Sequence, residues 1–231
     1  GAVVLLNAQS GEIFVMSSHP TFDPADLNDL GMELNKDPDK PLINRAAQGV
    51  YPVGTLVEPF ARAVYGEKMT STVELHEVYE KFGFTRAPLL RMPTTEPVSL
   101  EGNEIQISPL QAAMAAAALS NHGIIPAPRI ATAVHTPHDG WVVLPVMGAA
   151  IEAIPSSAAD ETAQSLIVDG QGYWAHSGQA ESDESPVTWF IAGTPPNWRA
   201  SPLVVVVLLE EDNVQSAQQI GSQLLSAAMS P

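Results

Sequence analysis

The chain contains no cysteine. That absence removes disulfides, thiolate nucleophiles and thiolate-held metals together, and it fits an oxidising, extracytoplasmic setting. Positive charge is also scarce. Ten lysines and arginines stand against 26 aspartates and glutamates, a formal net charge of −16. A surface of that sign repels nucleic acid and anionic lipid headgroups, so neither is expected as a partner. No run reaches the ~18 apolar residues that could span a bilayer. No signal-peptide pattern opens the chain, no glycine-rich phosphate loop occurs, and no internal repeat or low-complexity segment is present.

The 231 residues, 45% of them hydrophobic, suffice for one domain with a full core. Val3 to Leu6 and Glu12 to Met16 flank Asn7-Ala8-Gln9-Ser10-Gly11 and predict a hairpin. Because strand character begins at Ala2, we expect a fragment of a longer exported protein, with Gly1 left by a cleaved tag. Ser18 to Lys40 is polar and proline-rich and predicts a surface excursion. Helices are expected from Thr55 to about Tyr65 and from Thr72 to Phe82, and a loop over Ala87 to Gly102. Ser108-Pro109 reads as N-cap and first helical residue. The body that follows, Leu110 to Ser120, is apolar on all sides, which predicts a buried central helix. Gly123 is its expected left-handed stop.

Beyond that helix, strands are expected at Arg129 to Val134 and Trp141 to Leu144, and a helix at Ser156 to Val168. Three more strands follow, at Tyr173 to Gly178, Pro186 to Thr194 and Leu203 to Glu210. The run Leu203 to Leu209 is apolar throughout and reads as a central strand covered on both faces. Val214 to Met229 closes the chain as a helix. A hairpin first, helices in the middle and strands at the end predict an α+β domain of residues 1–231, with an antiparallel sheet of about five strands packed with helices.

Residues Asn44 to Phe60 read N-R-A-A-Q-G-V-Y-P-V-G-T-L-V-E-P-F. This run resembles the lead into the nucleophile motif of penicillin-binding protein transpeptidase domains (class B-like). Further phrases resemble the same family in the same order. They are Ser18-His19-Pro20-Thr21-Phe22-Asp23-Pro24, Tyr79 to Phe84, Gln106 to Ala112, Leu119 to Pro126, Trp189 to Gly193 and the valine strand. The likeness covers most of the chain. It implies a serine transpeptidase/β-lactamase-like fold, but a fold does not carry a function with it.

The family's three motifs are S-x-x-K, S-x-N and K-[T/S]-G. At the first, this chain has Thr55-Leu56-Val57-Glu58. A carboxylate is a far weaker base than an amine, and its charge opposes a developing oxyanion. Thr-x-x-Glu also matches a capping box, in which the two side chains serve only to start a helix. The second motif belongs between the nucleophile helix and Phe82-Gly83. Residues 61–81 leave little room for the family's helical insert, and Ser71-Thr72-Val73 lacks its asparagine, so a shortened helical subdomain is expected. Ser120-Asn121-His122 looks similar to the motif but reads as a helix stop. At the third, His176-Ser177-Gly178 puts histidine in place of lysine, which binds the substrate carboxylate in the family. Histidine does not hold a fixed charge at neutral pH.

The resemblance therefore implies an inactive relative. Thr55, Glu58, His176, Ser177 and Gly178 would be degenerate positions in a structural or protein-interaction module of peptidoglycan biogenesis. Its partners would be other cell-wall synthesis or division proteins, or a peptidoglycan peptide. Its place would be the outer face of the cell membrane, reached through an N-terminal anchor outside this chain. Two alternatives stay open: acyl transfer or hydrolysis by Thr55 with His176 as base, and non-covalent binding of peptidoglycan peptide. No cofactor is expected. His135-Thr136-Pro137-His138, with Asp139, reads as a loop rather than a metal site. Glu210-Glu211-Asp212 reads as a solvated turn before the last helix.

Overall fold

Hydrophobic strands of the two chain ends meet in one sheet. In the computed structural model, which describes residues 1–66, 72–100, 104–182 and 185–230, β1 (Ala2–Asn7) and β2 (Ile13–Ser18) form the expected hairpin. The excursion that follows is largely exposed but carries a short helix, α1 (Leu27–Leu34), that buries none of its residues. The first half of the chain continues through β3 (Tyr51–Pro52), a 3-10 turn over Gly54–Val57, α2 (Glu58–Tyr65) and α3 (Thr72–Lys81). Two short strands, β4 (Val98–Ser99) and β5 (Ile105–Ile107), pair with each other, and β5 also pairs with β3.

The predicted central helix is α4 (Pro109–Ser120). Ser108 has the extended backbone of an N-cap, and its hydroxyl accepts from the Gln111 amide at 3.2 Å. The Gln111 side chain returns the bond to the Ser108 amide at 2.9 Å. Gly123 takes a φ of +87° just beyond the helix, as expected of its stop. Short pairs follow. β6 (Ile124–Ile125) pairs with a later strand, and β7 (Ala133–Thr136) with β8 (Gly140–Val143). The first of these predicted strands, Arg129 to Val134, thus begins four residues later, at Ala133, and ends two later, at Thr136. Its hairpin is exposed on both faces, so no alternation of burial marks its register in the sequence. β9 (Ile151–Glu152) is the partner of β6.

After α5 (Ser156–Ser165), the chain returns to the sheet as β10 (Trp174–Ala180), β11 (Val187–Gly193) and β12 (Leu203–Leu209), and ends in α6 (Val214–Met229). The five-stranded sheet is antiparallel throughout, in the order β10-β11-β12-β1-β2. This is the α+β class read from the sequence. Period-two alternation splits β12 between two cores. Val204, Val206 and Leu208 join the larger cluster, on the α4 side of the sheet. Leu203, Val205 and Val207 join the one that holds Ala217 and Leu225 of α6. The continuous apolar run is therefore explained by helices on both faces. β10 lies at the edge of the sheet, against the Gly54–Val57 turn, and that junction is where the motif residues meet.

Candidate active site

Two glycines set the distance between turn and strand. Gly178 of β10 is buried against Leu56, and a Cβ on it would lie 2.5 Å from the Leu56 nitrogen and 2.7 Å from its Cα. Gly54 has a φ of +50°, and its Cβ would lie 2.2 Å from the Gln179 carbonyl oxygen. Only residues without a side chain fit these two positions, because the neighbours on both sides are backbone.

Thr55 is exposed in the middle of this junction. Its Oγ1 accepts from the Gln179 amide at 2.9 Å and donates to the Gln179 carbonyl at 3.3 Å. One hydroxyl thus takes both main-chain groups of one edge-strand residue. His176 lies beside it, but Nε2 is 3.0 Å from the Thr55 carbonyl oxygen rather than on the hydroxyl. A carbonyl only accepts, so in this arrangement Nε2 carries a proton and donates it. The same carbonyl also accepts from the Glu58 amide. The Glu58 side chain is exposed, with no hydrogen-bond or ion-pair partner among the described residues.

Ser177, adjacent in the motif, faces the other way. Its hydroxyl accepts from Gln218 Nε2 of α6 at 3.0 Å. Strand alternation accounts for this: His176 and Gly178 share the Thr55 side of β10, and Ser177 shares the α6 side. Of the five motif positions, Thr55, His176 and Gly178 therefore meet, while Ser177 and the Glu58 carboxylate do not join them. Gln179 was not singled out in the sequence. Its role is carried by its main chain, which no side-chain pattern reports.

The capping box expected at Thr55 and Glu58 is not formed. A helix N-cap stands outside the turn it starts, but the 3-10 turn runs from Gly54 to Val57, and the residue before it is Val53, with φ −68° and ψ −41° and no side-chain bond. Thr55 therefore sits inside the turn, and its hydroxyl points across to β10. The N-cap of α2 is Val57, which offers no side-chain bond.

The arrangement holds the hydroxyl rather than freeing it. The Gln179 amide is a main-chain donor, the type of group that can stabilise an oxyanion, but here it is bonded to the Thr55 hydroxyl itself. The arrangement does not supply a base: among the described residues no basic side chain accepts the Thr55 proton, which goes to a carbonyl.

The remaining candidates resolve into structural roles. Ser120 is buried, accepts from Trp174 Nε1 at 2.9 Å and donates to the Thr194 carbonyl at 2.8 Å, as suits the end of a buried helix. Ser71 lies outside the described residues, as do the side chains of Thr72 and Val73. His135 packs edge-on against Trp141 at 5.4 Å. Glu210 corrects the reading of Glu210-Glu211-Asp212 as a merely solvated turn. Its carboxylate takes hydrogen bonds from Arg45 Nε at 3.0 Å, the Tyr51 hydroxyl at 2.8 Å and the Gly1 amino group at 3.0 Å. Burial alone would raise the Glu210 carboxyl. Hydrogen bonds from Gly1 and Tyr51, with the charges of Gly1 and Arg45, outweigh burial and hold it below its ordinary value. Sequence separation hid this cluster, since Arg45 and Glu210 are 165 residues apart.

Comparison with known proteins agrees with the fold. The family model of the penicillin binding protein transpeptidase domain matches residues 1–64. The peptidoglycan D,D-transpeptidase MrdA of Acinetobacter baumannii is 40% identical over 65 residues, which cover 26% of this chain and 10% of that protein. The peptidoglycan D,D-transpeptidase PbpA of Mycolicibacterium smegmatis is 23% identical over 318 residues, covering 97% of this chain and 64% of that protein. The chain thus spans a tenth of the first relative and under two thirds of the second. The PbpA alignment is also longer than this 231-residue chain, so that relative carries segments this chain does not have. Among solved structures, an imipenem acyl-enzyme complex of penicillin-binding protein A from M. tuberculosis superposes with a TM-score of 0.77. It is 19% identical, over 100% of this chain and 73% of that one. Residues 1–64 thus match the penicillin binding protein transpeptidase domain family, and the chain as a whole shares the fold of solved penicillin-binding proteins.

Proposed function

We propose that this domain is a catalytically inactive member of its family, a structural or protein-interaction module in peptidoglycan biogenesis on the outer face of the membrane. One observation carries the reading. The hydroxyl at the nucleophile position is spent on the main chain of Gln179, and the imidazole beside it donates to a carbonyl instead of accepting the hydroxyl proton. A nucleophilic hydroxyl needs an adjacent base, and a lone carboxylate facing solvent at Glu58 does not replace one. The retained glycines need no chemistry to explain them, because contact between turn and strand requires both. The partners in this reading are other cell-wall synthesis or division proteins, a class set by the peptidoglycan transpeptidase names of the relatives and not by any partner those names give.

The amide of Gln179, 2.9 Å from Thr55 Oγ1, favours one second reading: slow acyl transfer or hydrolysis by Thr55, with His176 as base after its ring turns. An activated thioester acyl donor separates the two. The inactive reading predicts that release of thiol matches the uncatalysed rate, and that Thr55→Ala and His176→Ala change nothing. Turnover that rises through the histidine range and is lost in both variants establishes the second reading instead.

A further inference from the structure

Met114 is the single residue of the otherwise buried helix α4 that keeps partial exposure. It floors a cleft of about 480 Å3 whose lining does not include Thr55. Buried Phe82 and Ile125 complete the floor, and Leu89 and Ile151 form exposed lips, at 58% and 42%. The volume falls within the ~300–1,000 Å3 of ordinary recognition clefts. Met114 and Met147, both lining it, have unbranched side chains that adapt to the shape of an occupant. Pro126 and Pro128 on one wall have no N–H to offer, so recognition there works through side chains rather than by strand addition.

The charge at this cleft differs from that of the molecule. Ten cationic residues serve the whole chain against 26 acidic ones. Yet exposed Arg86 stands on the rim, and Arg91 reaches the carbonyl of Pro145 next to Val146 at 3.1 Å. Neither arginine has a carboxylate partner among the described residues. Glu96, the one carboxylate lining the cleft among the described residues, accepts from the Ala87 amide.

The geometry points to a docking site for a segment of another protein, one that places a large apolar side chain in the cleft and an aspartate or glutamate beside Arg86 and Arg91. Carboxylates opposite unpaired arginines form strong charge-assisted bonds. A second copy of this chain is disfavoured, since two bodies of −16 repel. The site goes beyond the inactive-enzyme reading and shares no residue with the Thr55 junction, so either can fail without the other.

The test is selection of a displayed random-peptide library on the folded chain, with Leu89→Glu as the counter-selection. Leu89 and Arg86 are exposed, so neither substitution disturbs the core. The proposal expects selected peptides to carry a large apolar residue next to an acidic one. Synthesised and fluorescently labelled, they should bind more weakly as salt rises, lose binding to Leu89→Glu, and bind roughly tenfold more weakly to Arg86→Gln. Thr55→Ala should leave binding unchanged. The proposal is overturned if selection enriches nothing over the Leu89→Glu chain, or if the enriched peptides are basic or neutral. It is equally overturned if Leu89→Glu abolishes self-association in ultracentrifugation, or binding to neutral phosphatidylcholine vesicles.

Discussion

Thr55 Oγ1 exchanges two hydrogen bonds with the main chain of Gln179, and Gly54 and Gly178 set the distance at which it does so. Gly178→Ala tests that spacing. The added methyl would meet the Leu56 backbone at 2.5 Å, so β10 or the turn must move. A loss of about 1–3 kcal/mol is expected in urea unfolding, and unchanged stability would contradict the contact. Glu210 gives a second prediction. Its folded-state value lies below the ordinary 4.5, so its contribution to stability is fully present above about pH 4.5. That contribution is lost as pH falls through the lower folded-state value. Thermal unfolding of the protein and of Glu210→Gln should therefore differ near neutral pH and converge in acid. A gap that persists at the lowest pH argues against the cluster. Residue identity singled out Thr55, His176 and Gly178, and the structure brings these three together. The capping box was misread because Thr-x-x-Glu reports composition and not backbone conformation: the same pattern closes at Ser108, where the chain is extended, and stays open at Thr55, inside a turn.

At the scale of elements, burial decides what a sequence reveals. α4 and β12 are covered on all sides, so their continuous apolar runs marked them plainly. α6 was equally plain from Val214 to Met229. α1 was not, because it buries nothing and its leucines remain exposed. The β7–β8 hairpin shifted in register for the same reason, with Trp141 74% and Val143 77% exposed. The cap of α4 can be tested directly. Ser108→Ala removes the acceptor of the Gln111 amide at a site with no access to water. A loss of about 1–2 kcal/mol is expected, read as a lower urea midpoint at constant slope. No change in midpoint would mean that the capping box contributes nothing.

Across the whole molecule, a five-stranded sheet with helices on both faces carries a junction at which no described side chain accepts the Thr55 proton. The fold was legible because its buried helix and strands show as apolar runs and its phrases resemble one family. The site was only partly legible, because its decisive contacts are made by the main chain of Gln179 and by the direction of the His176 ring. The central claim is that Thr55 does not act as an acyl acceptor. Incubation with a fluorescent penicillin, followed by intact-mass analysis of the denatured protein, tests it most directly. The account predicts the unmodified mass and no band above that of Thr55→Ala. A stoichiometric adduct mapped to Thr55 would contradict it.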